Sequence, residues 1–356
     1  MSKDDAVQGG FVRPVRTGRL ITVGGPRADV PGFTSEAIQL AVDALSGTGG
    51  TVRLGEGTFV IAAPVRLTSG IALAGAGPST RLRKIDGVAT PVIDDADYGE
   101  LVVTVADSTG FAVGMGVQVR QSDAIDWQCS TSVITAVEPT RLHLRDRLVQ
   151  DYTVGKAITV SNACSVIEVI DAEDVEVAHL GVDGNRDTNQ FLNGCRGGGV
   201  YIHRSQRCAL TDITVAGFNG DGISWQITDD VTVSDCAVHG GANFGLHPGT
   251  GAARTRITGC DVHHNATDGL YVCWRVQNGL FAGNDIHDNG RHGVSLGHKD
   301  TDNVFEHNHI HGNGGAGVFY RPETPANGAH RNRFTANTIE GNAGGAIIED
   351  RSARPS

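Results

Sequence analysis

At 356 residues, with 49 glycines, 39% hydrophobic residues and only 5% aromatics, the chain has apolar material enough for a core, but its composition suits tight turns and thin strands better than packed helices. A formal charge of −11, from 29 basic and 40 acidic residues, with no basic stripe, excludes nucleic acid and anionic membrane as expected partners. No apolar run approaches the roughly 18 residues that span a bilayer, and Met1 to Val15 lacks a leader's apolar core, so the expected setting is cytoplasmic, or secreted with a leader removed.

Residues 34–45 (TSEAIQLAVDAL) follow Pro31 and Gly32 with capping residues, and Ala37, Ile38, Ala41, Ala44 and Leu45 share one helical face. A short amphipathic helix is expected there. Short β-branched strands punctuated by glycine follow at 49–61 (GGTVRLGEGTFVI) and 65–77 (VRLTSGIALAGAG). This order over residues 30–85 resembles the entrance of pectate-lyase-like proteins, in which a helix plugs the open end of a right-handed parallel β-helix.

From 98 to 166 the texture changes to strongly alternating strands separated by Gly and Asp turns, which predicts a small antiparallel β insertion, either an ornament or the wall of a groove. The expected division is 1–97 for the N-terminal segment, helix and first coils, 98–166 for the insertion, 167–350 for the main coils and 351–356 for a polar tail. Beyond about Ser165 one glycine marks each coil. Gly199, Gly222, Gly245, Gly269, Gly293 and Gly317 are spaced by 23, 23, 24, 24 and 24 residues, and Gly345 follows after 28, with RPETPANG as an outward loop. Asn284, Asn308 and Asn337 form one further row, in register with Cys236 and Cys260, and Asn265, Asn289, Asn313 and Asn342 form another. Stacked carboxamides donate to one coil and accept from the next, so both rows read as turn supports. The fold class is therefore all-β, a right-handed parallel β-helix with an N-terminal capping helix. Such a solenoid lengthens by adding coils, so its length does not count domains. An uncovered last strand after Ile347 and Ile348 predicts self-association into a homo-oligomer. The seven cysteines, scattered and without a CxxC pair, read as small buried apolar residues.

Alternation along each strand fixes the outer face. One position past each glycine is apolar and inward. Two and four positions past it stand His247, Tyr271, Phe319 and Arg321, and the strand ends and turns add Asp268, Trp274, Arg275, His292, His298, Lys299, Asp300 and Glu323. The candidate catalytic groups are His247, Tyr271, Asp268, His292, His298, Lys299, Asp300, Arg321 and Glu323, with Trp225, Trp274, Arg275 and Phe319 as substrate contacts. Aromatic faces suit sugar rings, and a groove across parallel strands suits a polymer, so a glycan is the expected partner. Elimination or epimerisation at a uronic acid needs a base, met by His247 or His292, an acid, met by Tyr271, and cations for the carboxylate, met by Arg275, Lys299 or Arg321. Glycoside hydrolysis or glycosyl transfer needs paired carboxyls, met by Asp268, Asp300 and Glu323. The remaining readings are a non-catalytic glycan-binding or structural solenoid and an intracellular enzyme acting on a small molecule.

The run NFGLHPGTG (243–251), then DGL (268–270) and NGRHGV (289–294), resembles the catalytic coils of alginate C5-epimerases. Asp268, Arg291 and His292 match that pattern, whereas Phe244 stands at its tyrosine, His247 at its aspartate and Gly249 at its histidine. No cofactor is required by this reading. A calcium ion could bind through Asp300, Asp302 and Asn303, since lyases of this superfamily often use calcium. The alternating histidines of HNHIH (307–311) read as surface side chains flanking core Ile310.

Overall fold

The computed structural model describes residues 18–124 and 127–349, so the first 17 residues and the polar tail at 351–356 lie outside it. Helix Ser35–Leu45 starts where Thr34 Oγ1 accepts from Ala37 N at 3.3 Å. It buries Ile38, Ala41, Val42 and Leu45 in the same core as the first strands. Ala44, expected on that face, is exposed and Val42 replaces it, because the helix sits in the angle between strands Leu20–Gly24, Gly50–Leu54 and Val65–Leu67.

The coils wind around three parallel faces. One is a nine-stranded sheet that runs from Val65–Leu67 through Ile167–Ile170, Val200–His203, Ile223–Gln226, Leu246–Pro248, Leu270–Tyr271, Val294–Leu296 and Val318–Tyr320 to Ile347–Glu349. The other two are joined through the long strands Glu173–Asp183 and Gln206–Ala216, which turn the corner between them. Each of the counted glycines from Gly199 to Gly317 immediately precedes a strand of the nine-stranded sheet. Space dictates glycine there. A Cβ on Gly222 would lie 2.2 Å from Val238, and one on Gly293 2.3 Å from Ile310, because the core residues of the opposite face press against this corner.

Both asparagine rows are continuous. Asn289 donates through Nδ2 to Val262 O, His287 O and Asn313 Oδ1, each at 3.0 Å, while its own Oδ1 accepts from Asn265 N and Nδ2. Asn284, Asn308 and Asn337 repeat the pattern, and Asn303 with Asn332 begins a third row. Five cysteines are buried, and Cys195 and Cys273 are partly exposed.

The antiparallel sheet begins at Ala89 rather than Tyr98. Its strands run in the order Ala89–Pro91, Ile158–Ser161, Gly116–Gln121, Cys129–Glu138, Arg141–Leu144 and Val102–Thr104. It has its own core around Val105, Val117, Leu142 and Tyr152. It leaves the solenoid after strand Thr80–Lys84. There the buried Lys84 ammonium donates to Asn162 O at 2.8 Å and Asn189 Oδ1 at 2.5 Å, which ties both ends of the excursion to one coil.

Removing a middle rung of a buried amide column leaves donors and carbonyls on both sides unpaired. Asn289→Ala is therefore expected to lose about 1–3 kcal/mol of unfolding free energy, read by denaturant titration. Unchanged stability would show that the column is dispensable.

Candidate active site

The outward positions of the nine-stranded sheet are less open than alternation implies. Tyr201, Ser224 and His247 stack in register, yet all three are buried. The cause is the coil from Ile167 to its partner Val200, a step of 33 residues against 23 or 24 in the next five coils. Its surplus folds back over the sheet, so that Gly194 O accepts from Ser224 Oγ at 2.5 Å and Cys195 O accepts from Tyr201 Oη at 2.9 Å. Gly194 lies directly on the Asp221 carboxylate, where a Cβ would sit 1.5 Å from Oδ2.

Beside this flap lies a cleft of about 720 Å³. Its floor is Phe244, His247, Tyr271 and Cys273, and its rim carries Arg196, Arg275, Arg291 and Trp274. Trp127, from the antiparallel excursion, forms part of the wall, and its carbonyl accepts from Arg196 Nε at 3.0 Å. The insertion thus contributes one described residue to the cleft wall. No carboxylate lines the cleft among the described residues.

His247 Nδ1 and Asp221 Oδ2 are 2.6 Å apart, and Asp221 Oδ1 accepts from Asn243 Nδ2 at 2.8 Å and Phe244 N at 3.3 Å. Burial disfavours a charged His247 imidazole, but the Asp221 carboxylate and the Cys273 thiol outweigh it, and the pKa rises to about 9. With Nδ1 held by Asp221, Nε2 faces Gln226 Nε2 at 3.5 Å. Tyr271 stacks on Phe244, with centroids 4.0 Å apart, and meets the edge of His247 at 5.2 Å. Burial raises its phenol pKa despite the Arg321 guanidinium 4.3 Å from the ring. Arg291 grips Asp268 with two hydrogen bonds, 2.7 and 2.8 Å, and its half-exposed guanidinium borders the cleft.

Of the residues chosen from sequence, His247, Tyr271, Trp274 and Arg275 line this cleft. Several others have different places. Trp225 is a core residue, wholly buried, with its indole N–H donating to Thr255 Oγ1, because it stands three positions past its glycine and so points inward. Asp268 is buried beneath Arg291 and orients it. Arg321 is no open carboxylate clamp: it donates to Ser295 Oγ, Val272 O and Asp300 Oδ2 under the Tyr271 ring. Asp300 is buried, its pKa raised by burial to about 6, and it accepts from Val276 N, Gly297 N and Arg321.

His292 is not placed as a base through Nδ1, which accepts from Ala316 N at 2.9 Å, and its ring stacks on Phe319 at 4.2 Å away from the cleft. His298 stacks on Trp274 and pairs with Glu323 at 3.2 Å, beyond the rim, and Lys299 is an exposed turn residue with φ +55°. The oxygens considered for calcium face different partners. Asp302 takes both arms of Arg331, and Asn303 belongs to the third asparagine row. Sequence reading passed over Trp127, Cys195 and Arg196; the surplus length of the 33-residue coil was the signal available for the last two.

A folded-state pKa of about 9 against an ordinary 6.5 means that His247 contributes stability fully below about pH 6.5 and loses it as pH rises through about 9. Denaturant titrations from pH 6 to 10 should show unfolding free energy falling across that window, by on the order of a few kcal/mol. The fall should be smaller in Asp221→Asn. Equal slopes in the two proteins would show that the pair is not the titrating element.

Residues 180–355 match the family described as "Right handed beta helix region". No curated protein matches the sequence. Among solved structures, the A-module of an Azotobacter vinelandii mannuronan C-5 epimerase superposes with a TM-score of 0.54 at 14% identity, covering 88% of this chain and 75% of that one. A polygalacturonase from Erwinia carotovora ssp. carotovora gives 0.52 at 12% identity, covering 95% and 78%. ORF18 of Geobacillus virus E2 gives 0.50 at 12% identity, covering 90% and 61%. Three faces of in-register parallel strands, the matched repeat region and these shared shapes together identify the chain as a right-handed parallel β-helix protein.

Proposed function

We propose that the cleft binds an anionic saccharide of the uronate class and transfers a proton at the carbon beside its carboxylate, as an epimerase or lyase. One observation carries this reading: Arg196, Arg275 and Arg291 surround Tyr271 and His247 with no carboxylate lining the cleft among the described residues. A carboxylated sugar brings the missing negative charge. Trp127 and Trp274, each about half exposed, offer apolar faces for sugar rings. The neighbouring folds include an epimerase and a polygalacturonase, and the choice between their chemistries rests on the cleft alone.

Neutral His247 Nε2 takes the proton, the arginines stabilise the charge that develops on the carboxylate, and the Tyr271 hydroxyl gives a proton to the opposite face or to the departing glycosidic oxygen. Among the described residues, the carboxyls considered for hydrolysis stand outside the cleft lining. Asp268 is spent on Arg291, Asp300 is buried and bonded, and Glu323 lies outside the cleft beside His298.

The required protonation states have opposite sign: His247 unprotonated, Tyr271 protonated. With His247 at about 9 and Tyr271 raised above its ordinary 10, both coexist in most molecules only in alkaline solution. At pH 7 roughly 1% of His247 is neutral. On uronate polymers, kcat/KM is expected to climb about tenfold per pH unit and level off near pH 9. Tyr271→Phe keeps the ring on Phe244 and Arg321 and should lower turnover by about 10²–10⁴ while leaving saccharide binding intact. A new ultraviolet-absorbing double bond reads elimination, and solvent deuterium entering the sugar without it reads epimerisation. New reducing ends without either signal would overturn the proposal in favour of hydrolysis, and binding without any turnover would leave a saccharide-binding cleft.

A further inference from the structure

The third face of the solenoid, away from the cleft, carries two outward columns. Strands Ala237–His239, Asp261–His263, Asp285–His287, His309–His311 and Thr338–Glu340 pair in register. One column reads Ala237, Asp261, Asp285, His309, Thr338, and the next reads His239, His263, His287, His311, Glu340. The imidazoles of His239, His263, His287 and His311 stack at 4.8, 5.0 and 4.9 Å, the separation of the strands that carry them.

At one coil the first column changes from aspartate to histidine. His309 and His311 then project from the same side of one strand, with ring centroids 4.0 Å apart and Ile310 buried between them. Asp285 lies opposite His309 on the preceding coil. Its Oδ1 is 3.0 Å from His311 Nε2 and 3.6 Å from His309 Nδ1. One donor atom from each of the three residues falls within 4.8 Å of the others. Tetrahedral zinc with bonds of about 2.0–2.1 Å has ligand–ligand edges of about 3.3 Å, so this spacing needs little adjustment. His309 Nε2, the nitrogen turned away, lies 3.3 Å from Glu340 Oε1, which supplies the carboxylate that orients a metal-bound imidazole.

We propose that Asp285, His309 and His311 form a surface site for a zinc-type divalent ion, with water completing the shell and Glu340 orienting His309. Two imidazoles and one carboxylate favour zinc, nickel or copper over calcium or magnesium. The site joins three successive coils, those of Asp285, of His309 with His311 and of Glu340, so the ion fastens the C-terminal part of the solenoid.

The test titrates ZnCl₂ into untagged full-length protein by isothermal calorimetry and follows thermal unfolding at the same zinc concentrations. One ion per chain and a midpoint that rises with zinc are expected. His311→Ala should weaken binding by about a hundredfold and Glu340→Gln by about tenfold, whereas His263→Ala, two coils away in the same stack, should change it by less than about twofold. Both loss variants alter side chains outside the core, 29% exposed for His311 and 67% for Glu340, so their unfolding midpoints without zinc should lie close to the parent. Absence of binding at millimolar zinc overturns the proposal. So does undiminished binding in His311→Ala, which would place the ion elsewhere on the chain.

Discussion

Each coil lies about 4.8 Å from the next, and the strand backbone bonds from coil to coil with an offset of one residue, as Leu246 N does to Gly269 O beside its register partner Leu270. That register makes columns of equivalent side chains unavoidable, and what can stand in a column is a matter of self-compatibility. Asparagine satisfies its own copy by donating one way and accepting the other. Phenylalanine stacks, as Phe281, Phe305 and Phe334 do at 4.5 and 4.4 Å. At the corners, opposite charges alternate from coil to coil. Asp171 pairs with Arg204, Asp174 with Arg207, Asp230 with Arg254 and Asp302 with Arg331, each pair spanning adjacent coils at corners where both residues adopt positive φ.

A perfectly regular solenoid would present flat faces and no cleft. Two departures create one. The surplus of the 33-residue coil laps over the nine-stranded sheet and buries Asp221 and His247, while the antiparallel excursion stands beside it and contributes Trp127. Burial by the flap turns an ordinary histidine into one held charged by a carboxylate at 2.6 Å. Irregularity in the repeat is thus the structural source of unusual chemistry here, and the regular coils supply its rigid floor.

The repeat itself was legible because glycine spacing and asparagine rows are local patterns forced by sterics and hydrogen bonding at a fixed period. Their positions gave the inward and outward sense of each strand correctly, from Val200 to Val318. What lies over an outward side chain was not legible. Ser224 and Ser295 point outward yet are wholly buried, one under the flap and the other under Arg321, since covering groups come from segments with no fixed register to the strand. The same blindness made Arg321, Asp300 and His292 look available when their polar atoms already had partners a coil away. Trp225 failed for a different reason: the alternation places it inward, and its chemistry as a sugar-stacking residue was preferred over its position.

Charge placement links the columns to the cleft. Across the solenoid surface arginines are neutralised coil by coil by aspartates, and the chain as a whole is strongly acidic. Around Tyr271 the pattern differs: Arg291 is gripped by Asp268 from beneath, so the carboxylate is buried while the guanidinium edges the opening, and Arg196 and Arg275 join it. On a chain of net charge −11, the three arginines at this opening are a local concentration of positive charge, and low-dielectric walls strengthen its field. Among the described residues no carboxylate lines the opening, so the contrast between the acidic chain and the arginine-rimmed cleft is carried by the burial of Asp268 beneath Arg291.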